Sequence, residues 1–216
     1  KLIYQSMRDE QQMEALKRQN LQAEMDYLKY QINPHFFMNT LNNIHALIDI
    51  DAESAKNAVI ELSKMMRYVL YDSGSERISL NRDIMFLKNY IELMRIRYTD
   101  DVQIRVEYPD NLPEQVSIPP LLLIVFVENA FKHGVSYNRP SFIHLRIEYA
   151  DGQVTSTLTN SCHTAPAGGR KNDPGIGLEN VRKRLALIYG EKNYSLDIRE
   201  EEETYTVTLV IPTLHA

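Results

Sequence analysis

The sequence predicts an α+β protein, with an all-α segment followed by a mostly antiparallel sheet and a few interspersed helices. Three observations carry this expectation. Up to about residue 98, apolar residues recur at spacings of three and four, the helical period. After Asp100 the period switches to two in Val102, Ile104 and Val106, and again in Ile143, Leu145, Ile147 and Tyr149. Asp151-Gly152 then separates that run from Val154, Ser156 and Leu158, which is a strong hairpin signal.

The 216 residues can hold one large domain or two smaller ones, and 44% apolar content is enough for a packed core. Net charge is −5 without a Lys/Arg run, which argues against direct nucleic-acid binding. A single cysteine, Cys162, excludes an intramolecular disulfide and fits a reducing compartment. The longest apolar run, Leu121 to Val127, is far short of the roughly 20 residues of a membrane span. No secretory signal pattern is present. The chain starts inside a helical pattern and without Met, so it is expected to be the soluble part of something longer.

Residues 1–31 contain no Gly or Pro, and Met13, Leu16, Leu21, Met25, Leu28 and Ile32 follow a helical spacing. Two readings stand: a solvated helix packed on its own domain, or a coiled-coil stalk that carries a signal. Pro34 disfavours helix at Asn33, so a kink or restart is expected just before His35. In the helix that follows, Phe36, Thr40, Leu41, Ile44, Leu47 and Ile48 share one side at about 100° per residue. His35, Asn39, Asn42 and Ala46 share the other, which predicts an exposed imidazole. The next helix, about Glu53 to Tyr71, has a heptad-type seam of Ala55, Val59, Leu62, Met66 and Val69. Two such hairpins would bury their seams in a four-helix bundle. Asp72 to Ser75 reads as a turn, and Leu80, Ile84, Leu87, Ile91, Met94 and Tyr98 mark a third helix.

In the second half, Gln115 to Ile118 is a candidate short strand. Pro119-Pro120 is expected to open a helix that is apolar all round through Val127 and ends at Gly134 in a left-handed cap. Such a helix lies in the interior, so its polar last turns, Glu128-Asn-Ala-Phe-Lys-His-Gly134, should line a cavity edge. Residues 160–174 read as a mobile loop, followed by a helix from Gly175-Ile-Gly-Leu178 to about Tyr189, closed by Gly190. A second hairpin, Tyr194 to Arg199 and Thr204 to Ile211, completes the chain.

Asn129 shares a helix face with Lys132 and His133. An amide oxygen suits Mg²⁺, and a lysine and a histidine can meet phosphate; a polar helix end meeting solvent explains the same residues. Gly175-Ile-Gly177 before a helix lets backbone N–H groups approach phosphates, although a bare G-x-G is also an ordinary turn. His35 alone is equally compatible with a structural role.

Taken together the motifs carry more. Gln31-Ile-Asn-Pro-His-Phe-Phe-Met-Asn-Thr-Leu-Asn42 resembles the phosphoacceptor box of LytS-like sensor histidine kinases. Ile118-Pro-Pro-Leu with Val127-Glu-Asn-Ala-Phe-Lys-His-Gly134 resembles that family's N box, and Gly175 to Gly190 its G box and following helix. The resemblance implies a coiled-coil-like signal helix over 1–31, a dimerising phosphoacceptor hairpin over 32–76, and a Bergerat-type (GHKL) ATP-binding α/β sandwich over 77–216. It implies a homodimer that autophosphorylates on His35 with Mg·ATP. The phosphate then passes to an Asp of a response regulator, often one with a LytTR-type DNA-binding domain. It also implies the cytoplasmic portion of a bacterial inner-membrane sensor, with any membrane segment before Lys1. Asn129 would ligate Mg²⁺, Lys132 and His133 would lie near the phosphates, and Gly175, Gly177 and Leu178 would edge the nucleotide loop.

Two departures from the family pattern bear on the site. Many relatives have D-N-G-x-G where this chain has Thr159-Asn160-Ser161, so Thr159 is expected in place of the aspartate that meets the adenine amino group. A hydroxyl is a weaker partner there than a carboxylate, which admits a dimeric scaffold impaired in nucleotide binding as the alternative function. Phe36 follows His35 where many histidine kinases place an acidic residue, which makes Glu128 the candidate base.

Overall fold

The helices begin where their capping chemistry allows. The computed structural model describes residues 34–98, 102–136, 138–163 and 176–214. The expected signal helix over 1–31, Gly175 and most of the loop before it lie outside the described residues. Helix α1 (Pro34–Ile48) opens on a proline, whose missing N–H is not needed in the first turn. It buries Phe36, Thr40 and Ile44. The backbone of His35 is in this first turn; the orientation expected for its ring lies outside the described side chains. Asp51 caps α2 (Ala52–Arg67), accepting the N–H groups of Glu53 at 3.1 Å and Ser54 at 3.0 Å. From the expected seam of α2, Ala55 and Leu62 are buried, whereas Val59 and Met66 are 48% and 46% exposed. The helix widens into a π-helical turn at Tyr68–Asp72. Strand β1 (Ile78–Ser79) and helix α3 (Leu80–Arg95) follow, with Leu80, Ile84, Leu87, Ile91 and Met94 all buried, as their spacing predicts.

Five strands form the main sheet: β2 (Val102–Glu107), β4 (Ser141–Ala150), β5 (Gln153–Ser161), β6 (Ser195–Glu200) and β7 (Thr204–Pro212). Their order is β2-β4-β5-β7-β6, with β2–β4 parallel and the other pairs antiparallel. The β4–β5 turn has Asp151 and Gly152 at φ of 51° and 74°, the left-handed pair that a tight hairpin with native twist requires. Ile143, Leu145, Ile147, Val154, Leu158, Val207, Leu209 and Ile211 fill one face of the sheet and are buried. Helix α4 (Ile124–Gly134) packs on β4 and β5 from that side.

A small sheet supplements the large one. Strand β3 (Ser117–Ile118), anticipated from the sequence, pairs antiparallel with β1. Leu214 clamps it by donating its N–H to Ser117 O at 2.8 Å, while Ser117 Oγ donates to Leu214 O at 3.0 Å.

Two boundaries differ from expectation. Helix α4 starts at Ile124 rather than at Pro119-Pro120, because Leu121 is left-handed at φ 59°, and its N–H goes to Asp83 Oδ1 at 3.3 Å instead of into a helix. Gly134 ends α4 without a left-handed cap: Val135 continues in an extended conformation, and the left-handed glycines among the described residues are Gly152 and Gly190. Gly190 does close helix α5 (Ile176–Tyr189), at φ 73° with its N–H on Ala186 O at 2.9 Å.

Candidate functional site

The apolar body of α4 holds its polar end in place. Leu121 to Ile124, Phe126, Val127, Ala130 and Phe131 are buried; Glu128 and Asn129 are half-buried, and Lys132 and His133 are exposed. Burial pushes the Glu128 carboxyl up to about 7, with the Lys132 charge pulling the other way. A carboxylate with that value ionises near neutrality, where a general base works best.

Helix α5 begins against this same helix. A Cβ on Gly177 would lie 3.5 Å from Val125 Cγ1, and Val125 precedes Asn129 by one helical turn on the same face. Gly177 and Asn129, assigned to opposite edges of a phosphate site, are therefore brought to neighbouring turns. Leu178, the next residue, is buried. The donor chemistry fits Mg²⁺: Asn129 offers a half-buried amide oxygen, the hard ligand that cation takes alongside water and phosphate.

The C-terminal end of α4 is stitched to β5. A Cβ on Gly134 would fall 2.8 Å from Asn160 Cγ and 2.9 Å from Asn160 Cβ, so only glycine permits this approach. Ser161 Oγ donates to Gly134 O at 2.6 Å, and Asn160 Nδ2 donates to Ser161 O at 2.8 Å. Gly134 thus serves close packing, in place of the cap expected of it.

Thr159, expected at the adenine, points away from α4. It pairs laterally with His144 and Thr206, and the Thr206 hydroxyl donates to its Oγ1 at 3.2 Å. Successive strand residues point to opposite faces, so Thr159 lies on the face away from α4 and Asn160 on the face toward it. The alternation Val154, Ser156, Leu158 continued by one step reaches Asn160, which is the signal that sequence reading missed.

An aromatic ladder links α1 to α4. Phe36, next in the chain to His35, stacks on Tyr90 of α3 at a centroid distance of 4.6 Å. Tyr90 meets Phe131 of α4 edge-on at 6.0 Å, and Tyr98 stacks on Phe131 at 5.8 Å. Burial and the Glu128 charge hold the Tyr90 phenol well above its ordinary range, which places Tyr90 within the field of Glu128. Neither Phe36 nor Tyr90 was marked as a site residue by the sequence.

Comparison with known proteins agrees with this geometry. A family model described as Histidine kinase matches residues 23–102. The sensor histidine kinase/phosphatase LytS of Staphylococcus aureus is 31% identical over 204 residues, 88% of this chain and 34% of that protein. The sensor protein LytS of Oceanobacillus iheyensis is 29% identical over 212 residues, 92% of this chain and 36% of that protein. The chain therefore spans about a third of the length of these relatives. The histidine kinase domain of a blue-light activated histidine kinase from Erythrobacter litoralis has the same fold, with a TM-score of 0.52 at 17% identity over 90% of this chain and 96% of that one.

A helical hairpin joined to a five-stranded sheet is the fold that this chain shares with that histidine kinase domain. Residues 23–102 carry the histidine kinase family match, and over most of its length the chain is similar to LytS sensor histidine kinases.

Proposed function

We propose that this chain is the phosphoacceptor and ATP-binding portion of a two-component sensor histidine kinase, autophosphorylating on His35 and passing the phosphate to an aspartate of a response regulator. The observation that carries the reading is the ladder from Phe36 through Tyr90 to Phe131, which ties the turn containing His35 to the helix bearing Glu128 and Asn129.

In the reaction a neutral His35 ring nitrogen forms a P–N bond to the γ-phosphorus. The β,γ-bridging P–O bond breaks, and its electron pair leaves on ADP. The proton of the other ring nitrogen goes to a base, for which Glu128 is suited by its raised carboxyl. Catalysis of this kind is mostly positioning and charge neutralisation. Asn129 would hold Mg²⁺, which when bound neutralises phosphate charge. Lys132 and His133, on the last turns of the same helix, would meet the phosphate oxygens, and Gly175 and Gly177 would supply the glycines of the nucleotide loop by their place in the motif. Asn160 replaces Thr159 as the residue facing the adenine side.

A homodimer is the expected assembly, since Leu41, Val59 and Met66 leave apolar seams about half exposed on a single chain. A response regulator with a LytTR-type DNA-binding domain is the proposed partner. Among the described residues no helix is long and apolar enough to cross a membrane. Attachment at a bacterial inner membrane would run through a region preceding Lys1, which fractionation of the full-length protein checks.

Incubation with γ-labelled ATP and Mg²⁺ tests the proposal. Acid-labile, base-stable label is expected on the wild-type chain and none on His35→Gln. Label that persists in the variant, or a wild-type chain that never takes label, removes His35 from this role.

A further inference from the structure

The π-helical turn at Tyr68–Asp72 is where the hairpin joins the rest of the chain, and such turns recur at functional junctions. Its first residue is buried and bonded in a way that phosphoryl transfer alone does not explain. The Tyr68 ring stacks on Phe86 of α3 at 4.3 Å, and its hydroxyl donates to Asp83 Oδ1 at 2.5 Å. The same oxygen accepts the N–H of Leu121 at 3.3 Å. Leu121 is held left-handed at φ 59°, a backbone state that leucine keeps only when its surroundings impose it.

From the other side, Arg184 of α5 donates Nη2–H to Pro120 O at 2.6 Å, and its charge acts on Asp83. Asp83 and Arg184 are 1% and 3% exposed. The segment Pro120–Leu121 is thus gripped between a carboxylate bonded to Tyr68 of the π-helical turn and a guanidinium on α5. Three residues further on, α4 begins and carries Glu128 and Asn129.

A brace with no other task would be served as well by apolar side chains, which avoid burying a carboxylate. Asp83 Oδ2 has no hydrogen-bond partner among the described residues. Burial of an incompletely satisfied carboxylate is costly, and it suits a group whose bonds are exchanged between states.

We infer that Asp83 is a positioning residue that transmits the state of the Tyr68 turn to Leu121, so that the orientation of the phosphoacceptor hairpin sets the placement of Glu128 and Asn129. Its catalytic consequence rests on the kinase reading above, whereas its structural consequence does not.

The test uses the 216-residue chain. Tyr68→Phe keeps the ring stack and removes the hydroxyl. Asp83→Leu removes both bonds at Oδ1, and Asp83→Asn leaves an oxygen able to accept them. In Tyr68→Phe and Asp83→Leu, hydrogen exchange at Leu121 and the first turn of α4 should accelerate roughly tenfold, a size typical of coupling along such networks, while β4 and β5 amides stay as in wild type. Asp83→Asn should stay near wild type. In the same variants the labelling rate of His35 at saturating ATP should drop roughly tenfold with little change in KM for ATP.

Unchanged exchange at 121–127 in Tyr68→Phe overturns the inference. So does a uniform rise across the sheet, which would make Tyr68 an ordinary stabilising residue. Should Asp83→Leu not fold, Tyr68→Phe and Asp83→Asn decide the matter. Accelerated exchange in a chain whose wild type takes no label leaves the coupling standing and removes the kinase reading instead.

Discussion

Replacing Gly134 by alanine sets local preference against tertiary packing, and the two predict opposite signs. Within a helix alanine is favoured over glycine by about 1 kcal/mol, and the Gly134 backbone is not left-handed, so nothing local penalises a side chain. The surroundings do. The new methyl would lie 2.8 Å from Asn160 Cγ and 2.9 Å from Asn160 Cβ, and closer still to Nδ2. Because Asn160 Cβ is fixed by the strand backbone, it cannot swing aside as the tip of a long side chain would. Either α4 lifts from β5 or Asn160 turns, breaking its 2.8 Å bond to Ser161 O. Overpacking costs about 1–3 kcal/mol, and a buried donor left without a partner adds about 1–3 kcal/mol. After the helix preference of about 1 kcal/mol is offset, a net loss of about 1–5 kcal/mol is expected, which lowers Tm by roughly 2–20 °C in a chain of this size. Urea unfolding or calorimetry reads it. In an Asn160→Ala background the same change should cost at least about 1 kcal/mol less, the coupling expected of residues in contact. A Gly134→Ala chain as stable as wild type, or more stable, would refute the close approach of α4 to β5.

The remaining predictions concern the nucleotide, the proton and the dimer. Thr159→Asp should leave ATP affinity unchanged by calorimetry, since the residue faces away from α4; tighter binding would put the adenine on the other side of the sheet. Glu128→Gln should slow His35 labelling by about 10²-fold or more, the usual worth of a general base. A carboxyl with its value raised to about 7 is protonated below that pH and active above it. The wild-type rate should therefore climb as pH rises through about 7, and the variant should lose that climb. If both chains show the same pH profile, another group takes the proton. Leu41→Glu places a charge on a half-exposed apolar position of α1 and should shift the chain toward monomer in sedimentation velocity; an undisturbed dimer would locate the interface elsewhere.

Much of this architecture was legible in the sequence, for reasons that differ by element. Helix α3 was readable because every one of Leu80, Ile84, Leu87, Ile91 and Met94 is buried, so its period reports a single core face. The β4–β5 hairpin was readable because Asp151-Gly152 has one low-strain solution. In α2 the heptad seam split, with Ala55 and Leu62 buried in the chain itself and Val59 and Met66 left outside, because periodicity cannot say which neighbour a stripe will meet. The start of α4 was misplaced because Pro119-Pro120 has local helix-starting chemistry, whereas Leu121 takes its conformation from Asp83, which is 38 residues away in sequence. At the proposed site, Asn129, Gly177 and Leu178 were picked out by motif, and the structure brings Gly177 next to Val125, one turn before Asn129. Motif matching pointed to Thr159 without regard to strand parity, whereas Asn160 is the residue on the face toward α4, and a one-residue shift exchanges the faces. The ladder through Phe36 and Tyr90 is a long-range contact with no local signature.

The clamp between Leu214 and Ser117 joins residues 97 apart in sequence, while α1 and α2 contact each other across a short turn. Contacts of large separation form late and slowly, whereas a helical hairpin forms early. We predict an order of maturation from this: the segment with His35 acquires structure before the sheet is closed, so a newly made chain presents an acceptor before it has a competent donor site. Pulse-labelled hydrogen exchange during refolding should show α1 and α2 amides protected ahead of β1 and β3, and simultaneous protection would contradict it. On the proposed kinase reading, such an order would keep a half-folded chain silent, since phosphate could not be taken up until Leu214 has been fastened to β3.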